Sequence, residues 1–375
     1  MKILLTNFHP YNGGGHTTYL LYLFRELNKH HKVFLACPKT SRLNNFAKGI
    51  KEENVIDIDF PGKIKEIKDI AKNLKILTPY ITNEKFDLIH VNGSPDHRMV
   101  IYAKILLNNS AQIIRTKHDS LKPKTNPLAK IQRNIFTNHT ILVSENQKQM
   151  MLDSGCDPDK LTVIHNGIDT DYFSVRPKSE DLLKKYGIHK DDLVFVSTAG
   201  TDLYKGWHLL VEAASRLDNG LKDNIKIILA GNMPKNEIIK TYIDRFDMSK
   251  QVFFTGLLPD VREVVSIADI GFVLSYKIET ISFACREMMS MGKPVLVSDF
   301  AGLPENINDN INGWVTKTGD VYGILAKIKE IIRNKESLNT ASLAARRKAE
   351  KEFGLSSFIN KTLSCYNLLR CKSAQ

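Results

Sequence analysis

The chain has 375 residues, 42% of them hydrophobic, with 53 basic against 41 acidic residues and a net charge of +12. That length exceeds one core of ordinary size and suits two domains of about 150 to 200 residues. No apolar run nears the roughly 18 residues of a spanning helix, and Cys37, Cys156, Cys285, Cys365 and Cys371 form no C-x-x-C pair, which excludes spanning, disulfide-framework and zinc-ribbon classes.

The first apolar run, Ile3-Leu4-Leu5, is too short for a signal-peptide core, so a cytoplasmic location is expected, with any membrane contact peripheral. The positive balance favours an anionic partner: nucleic acid, an acidic membrane surface or a phosphorylated substrate. Nucleic acid is set aside, because no stretch interleaves basic residues with aromatics.

Short apolar runs alternate with amphipathic segments, the pattern of parallel sheets wrapped by helices. In the first half, strands are expected at 2–6, 33–36, 55–58, 88–91, 112–115, 140–143 and 161–164. Gly13-Gly14-Gly15 lies between the first strand and a helix expected over 17–27. It lacks the G-x-G-x-x-G spacing of a dinucleotide fold, since His16, Thr17 and Thr18 follow Gly15, and this argues against an NAD-dependent oxidoreductase. Three glycines still leave backbone N–H groups open to a ligand.

Ile64, Ile67, Ile70, Ala71, Leu74 and Leu77 recur at helical spacing, with five lysines between Lys63 and Lys75 on the other faces. Such a helix either covers the core with a solvated basic face or rests on anionic headgroups. A second basic run spans Arg115 to Arg133, and within it Arg115-Thr116-Lys117-His118-Asp119 follows a strand end, where α/β folds collect ligand-contacting groups. In Asn166-Gly167-Ile168-Asp169-Thr170-Asp171 the Asn-Gly pair marks a turn at a domain boundary, and its carboxylates read as turn caps rather than metal ligands.

The second half repeats the alternation with strands at 193–197, 225–229, 252–255, 269–274, 295–297 and near 314, and with helices expected over 209–217, 321–333, 336–352 and 353–369. The stretch Ser275 to Glu305 carries the chemistry. Thr280 and Ser282 are N-cap types, Phe283, Ala284, Met288 and Met291 recur at near-helical spacing, and Gly292-Lys293-Pro294 closes a short helix expected over 282–291. Glu279 thus precedes a helix start and Glu287 lies inside the helix. Between them, free N–H groups and the positive end of the macrodipole suit a phosphate, while each carboxylate can accept two hydroxyl hydrogen bonds from a vicinal diol.

Two glutamates with seven residues between them, then a Met-rich turn, Gly-Lys-Pro-Val at 292–295 and Gly-x-Pro-Glu at 302–305, resemble the signature of retaining family 4 glycosyltransferases of the GT-B fold. The resemblance covers nearly the whole chain and is most specific from Val163 onward. It implies an α/β architecture of two Rossmann-like domains facing a cleft: an acceptor-binding domain at 1–168, a nucleotide-sugar-binding domain at 169–352 and a terminal helix at 353–375 returning to the first. It further implies retention through front-face departure of the leaving group, with Glu279, His118 and Lys205 as catalytic residues. Glu287, Thr280, Ile281, Ser282, Phe283, Gly200, Thr201, Gly231, Leu257 and Leu258 would bind the donor. The loop Gly13, Gly14, Gly15 and His16 would meet the acceptor or the donor diphosphate.

Neither metal nor cofactor is implied, only a nucleotide-sugar co-substrate, UDP-sugar ahead of GDP-mannose. The basic first domain suggests a glycan or lipid-linked acceptor, as in lipopolysaccharide-like assembly, with possible contact to an anionic membrane at its inner face. A hydrolase or epimerase of the same fold is the nearest alternative. Two departures from the family pattern stand out: Thr280 and Ser282 replace the usual glycines, and Ala199-Gly200-Thr201 replaces an arginine expected before Lys205. Arg262 and Arg115 are candidate substitutes.

Overall fold

A computed structural model describes residues 1–11, 14–63 and 65–373. They form two compact units, Met1–Gly167 with Leu355–Gln375, and Ile168–Gly354.

The first unit is built on seven parallel strands: β1 (Lys2–Thr6), β2 (Lys32–Cys37), β3 (Val55–Asp57), β4 (Leu88–Val91), β5 (Gln112–Lys117), β6 (His139–Leu142) and β7 (Leu161–Val163). Their order is β3-β2-β1-β4-β5-β6-β7. Ile3, Leu4 and Leu5 are all fully buried, so both faces of β1 are covered. That is why β1 is written as an unbroken apolar run rather than an alternating one. The C-terminal helix Leu355–Ser373 belongs to this unit: Phe358 packs edge-on to Tyr19, and the Tyr366 hydroxyl meets His90 Nδ1 at 2.6 Å.

The second unit has six parallel strands: β8 (Leu193–Ser197), β9 (Ile225–Ala230), β10 (Val252–Gly256), β11 (Ile270–Val273), β12 (Val295–Ser298) and β13 (Gly313–Thr316), in the order β10-β9-β8-β11-β12-β13. The chain enters it and leaves it side by side, Ile168 N donating to Phe353 O at 2.7 Å. The Asp169 carboxylate accepts from Tyr172 N at 3.0 Å, a turn cap as expected.

Both sheets reverse their winding once, between β1 and β4 and between β8 and β11. Loops at the carboxyl ends of such neighbours diverge and leave a crevice, the usual ligand site of open α/β sheets. The first crevice receives the loops after β1 and β4, the second the loops after β8 and β11.

Some element bounds differ from the sequence expectation. The basic helix runs over Ile67–Glu84, so Lys63 and Lys65 precede it, and Ile67, expected on its apolar side, is 69% exposed; Ile64 lies outside the described residues. Pro79 sits inside that helix without ending it, because Pro79 and Lys75 both face water, which can solvate the carbonyl left without its N–H. The segment expected over 336–352 is a shorter helix, Leu338–Lys348, followed by the wider turn Ala349–Phe353.

Candidate active site

In the second unit, Lys205 ends a single tight turn, Leu203–Lys205, in the loop after β8. Gly206 follows with φ 76°, and a Cβ there would sit 2.0 Å from the Leu274 carbonyl oxygen, so only glycine lets this loop lie against the end of β11. Two further ties close the same seam: Tyr276 N donates to Tyr204 O at 3.0 Å, and buried Trp207 donates from Nε1 to Thr201 O at 2.7 Å. As a result Lys205 Nζ lies 3.0 Å from Glu279 Oε2. Substituting Gly206 by alanine should lower stability by about 1–3 kcal/mol in chemical denaturation and reduce turnover with it, since strain and backbone clash fall on the loop that carries Lys205.

Glu279 is held from three sides. Besides Lys205, the Ser275 hydroxyl donates to Oε2 at 3.3 Å and Thr280 N donates to Oε1 at 3.1 Å. The helix that follows is Phe283–Ser290, capped by Ser282, whose hydroxyl accepts from Cys285 N at 3.3 Å. Of the two expected cap types, Ser282 is therefore the one used. Ser282 has φ 57°, an uncommon region for a residue with a side chain. Its strain is held by Asn306, which donates to Ile281 O at 2.7 Å, and by Gly302 N, which donates to Thr280 O at 2.9 Å. Among the described residues, the amides of Ile281, Phe283 and Ala284 donate to no protein acceptor. A cation, a positive helix end and these free donors thus share one small region, a ready cradle for a diphosphate.

Glu287 is half-buried on the same helix, and among the described residues no donor reaches its carboxylate. Burial pushes its pKa up to about 7. Its neighbour Arg286 is fully buried, donating to Asn306 Oδ1 at 2.7 Å and lying 4.2 Å from the centre of the Phe353 ring. Arg286 fixes the helix and the Ile281 loop together, a role that no local motif betrays.

Gly200, Thr201 and Gly231 form a second cluster. A Cβ on Gly231 would meet Gly200 Cα and Thr201 N at 3.0 Å, and the Thr201 hydroxyl donates to Asn232 O. Gly231 N donates to Gly256 O at 3.1 Å, joining the loops after β8, β9 and β10. Leu257 beyond them is 74% exposed, whereas the partly buried Leu258 side chain packs against the core around Val264 and Ile267. Arg262 is committed elsewhere: its guanidinium pairs with Asp260 at 2.5 Å and stacks on Tyr172, 3.6 Å from the ring centre.

In the first unit, His118 is buried and its Nε2 lies 3.0 Å from Asn92 Oδ1. Gly14 takes φ 59° and the helix begins at Gly15, which brings His16 onto His118 with ring centres 4.4 Å apart. Gly13 lies outside the described residues. Two histidines that the sequence reading passed over complete the group: His9 Nε2 is 2.7 Å from His16 Nδ1, and His90 Nε2 is 2.6 Å from Thr116 Oγ1. Burial lowers the pKa of all of them, His16 to about 4, His90 to about 3, His118 well below its usual value and His9 in the same direction. They are neutral imidazoles at pH 7. Their common signal was position, at or just past the ends of β1, β4 and β5 for His9, His90 and His118, and on the first turn of the helix after β1 for His16.

Residues 178–348 match the model of the glycosyl transferases group 1 family, and residues 13–172 match that of glycosyltransferase family 4. The chain belongs to the family 4 glycosyltransferases of the GT-B fold. Among relatives of this glycosyltransferase, the Escherichia coli UDP-Gal:alpha-D-GlcNAc-diphosphoundecaprenol alpha-1,3-galactosyltransferase is 24% identical over 354 residues, 90% of this chain and 89% of that one. The Bacillus subtilis protein EpsD is 28% identical over 174 residues, a match that covers 45% of each chain. Anabaena Alr3699/HepE, solved in complex with UDP, superposes with a TM-score of 0.84 at 18% identity, covering 98% of this glycosyltransferase and all of that chain.

Proposed function

We propose that this glycosyltransferase retains anomeric configuration, moving a sugar from a nucleotide-sugar to a glycan or lipid-linked acceptor in cell-envelope polysaccharide assembly. The observation that carries the reading is the seam in the second unit: Lys205 paired with Glu279 at 3.0 Å, beside a helix start with unused amides. We assign Lys205 and those amides to the leaving diphosphate, which gains charge as the anomeric C–O bond breaks with its electron pair. The acceptor oxygen bonds to the same face of the anomeric carbon, and its proton passes to a phosphate oxygen. Glu279 is assigned to the donor sugar hydroxyls, Glu287 to the ribose, and the loops of Thr201, Gly231 and Leu257 to the base. His118, a neutral imidazole, is assigned to the transferred sugar.

The second unit is read as the donor unit and the first as the acceptor unit. A UDP-sugar is favoured over GDP-mannose, supported by the UDP bound to HepE and the UDP-Gal named for the Escherichia coli relative. That relative's diphosphoundecaprenol acceptor supports a lipid-linked one here, with the enzyme working in the cytoplasm at the inner face of the membrane. Among the described residues no helix is long and apolar enough to cross a membrane.

A thermal-shift panel of nucleotide-sugars tests the donor. At a hundredfold excess over Kd, the right one stabilises by about 2.7 kcal/mol, a rise of several degrees. No shift from any nucleotide-sugar, or a product of inverted anomeric configuration, would overturn the reading. Consumption of donor at the same rate with and without acceptor would turn it to a hydrolase.

A further inference from the structure

The first unit contains a cavity of about 220 Å³ that none of the roles above uses. It is smaller than the roughly 300–1,000 Å³ of pockets that enclose a drug-sized ligand, so it fits a small group rather than a glycan or a whole nucleotide-sugar. Arg98, Arg115, Lys117, Lys122, Lys124 and Arg133 line it against one acid, Asp119. Lys117 is spent on Asp119, at 2.5 Å, and Arg98 on the carbonyls of Pro61 and Gly62, both at 2.9 Å. The others keep capacity to spare. Nε of Arg115 and Nε of Arg133 are each buried with no acceptor among the described residues, although Arg115 reaches the Ser94 hydroxyl at 3.1 Å and Arg133 the Lys124 carbonyl at 2.5 Å. Lys122 and Lys124 also line the cavity, and among the described residues no hydrogen bond or ion pair engages their ammonium groups. Clustered like charges with buried, unused donors are costly unless an anion with several oxygens joins them.

The rim has the opposite character. Leu121 lines the cavity and is 72% exposed. The helix Pro127–Asn134, which carries Arg133, buries none of its residues, and Leu128, Ile131 and the following Ile135 fall on one face, exposed by 70%, 41% and 69%. Leu121 on the lining, with three exposed apolar side chains on or just after the helix that supplies Ala129, Gln132 and Arg133 to it, suits an amphiphile whose charged end is multivalent.

We propose that the cavity takes the diphosphate of an alkyl or isoprenoid diphosphate ester, its hydrocarbon lying across Leu121, Leu128, Ile131 and Ile135. This rests on the reading of a lipid-linked acceptor and gives that acceptor a subsite. Two guanidinium groups meet the phosphate oxygens bidentately, Lys122 and Lys124 close over them from the loop, and the apolar helix face selects the ester over free phosphate.

Binding to the full chain by calorimetry separates these parts, with farnesyl diphosphate, inorganic pyrophosphate and farnesol as probes. Farnesyl diphosphate should bind at least tenfold more tightly than pyrophosphate, and farnesol not at all. Arg133→Gln with Lys124→Gln should weaken both diphosphates by at least tenfold. Leu128→Ser with Ile131→Ser should weaken farnesyl diphosphate alone. The donor-induced thermal shift should survive in every variant, which keeps failure of this subsite distinct from failure of the donor reading. Equal affinity in wild type and charge variants would overturn the proposal, as would pyrophosphate binding as tightly as its ester. Binding to phosphatidylglycerol vesicles that vanishes in the same variants, without farnesyl diphosphate binding, would make this face a membrane surface and overturn it too.

Discussion

Lys205→Ala should lower kcat by about 10²–10³, the scale of losing one preorganised donor to a developing anion, about 2.7–4 kcal/mol. Folding should survive. Glu279 would keep the Ser275 hydroxyl and Thr280 N, so its carboxylate is not stranded when the ammonium goes. The ion pair is partly screened, with side-chain exposures of 18% for Lys205 and 10% for Glu279, and its loss should cost about 1 kcal/mol and a few degrees of Tm. Lys205→Arg should recover part of the rate, because the charge remains while the planar fork replaces a compact ammonium. The readouts are kcat from product release with saturating donor and Tm from calorimetry. A folded alanine variant with unchanged kcat would remove Lys205 from the chemistry. Loss of turnover in step with loss of fold would make it a structural residue that pins the seam.

The thirteen strands of the described residues were legible, most plainly where a strand is buried on both faces and so apolar along its length, as in Ile3-Leu4-Leu5 or Val295-Leu296-Val297. The Glu279 to Glu287 stretch was legible for another reason: cap, helix and stop follow one another within a few residues, so local chemistry dictates the geometry. What was missed depends on which strands become neighbours. His9, His16 and His118 meet because β1 and β5 flank β4 in the sheet, and no local pattern announces that order. The basic run from Arg115 to Arg133 was visible as charge, but not as a cavity, since Arg98 arrives from another helix. Arg262, a candidate for the missing family arginine, is claimed by Asp260 two residues away and by Tyr172 far along the chain. Spacing could suggest the first contact but not the second.

Glu287 should make donor affinity depend on pH. Its carboxyl titrates near 7 because burial disfavours the charged form and, among the described residues, no donor offsets that cost. Ribose hydroxyls donate best to the ionised carboxylate, so only the ionised fraction is competent. That fraction grows about tenfold from pH 6 to pH 8, and the apparent Kd should fall by about the same factor. Glu287→Gln should bind weakly with a flat profile, and Glu287→Ala should abolish the donor-induced thermal shift.

Stability without donor should run the other way. The unfolded glutamate titrates near 4.5, so between about 4.5 and 7 the folded state holds a proton that the unfolded state has released. Stability therefore falls as pH rises through that window, by at most about 3 kcal/mol, and less where solvent reaches the recess. Glu287→Gln carries no such charge and should match the wild type near pH 4 yet exceed it at pH 8. The two measurements constrain each other. A wild-type affinity independent of pH, together with a stability curve that Glu287→Gln does not alter, would mean a carboxyl already ionised at neutral pH, whereas a donor-induced thermal shift that survives Glu287→Ala would mean that the ribose is held by something other than Glu287.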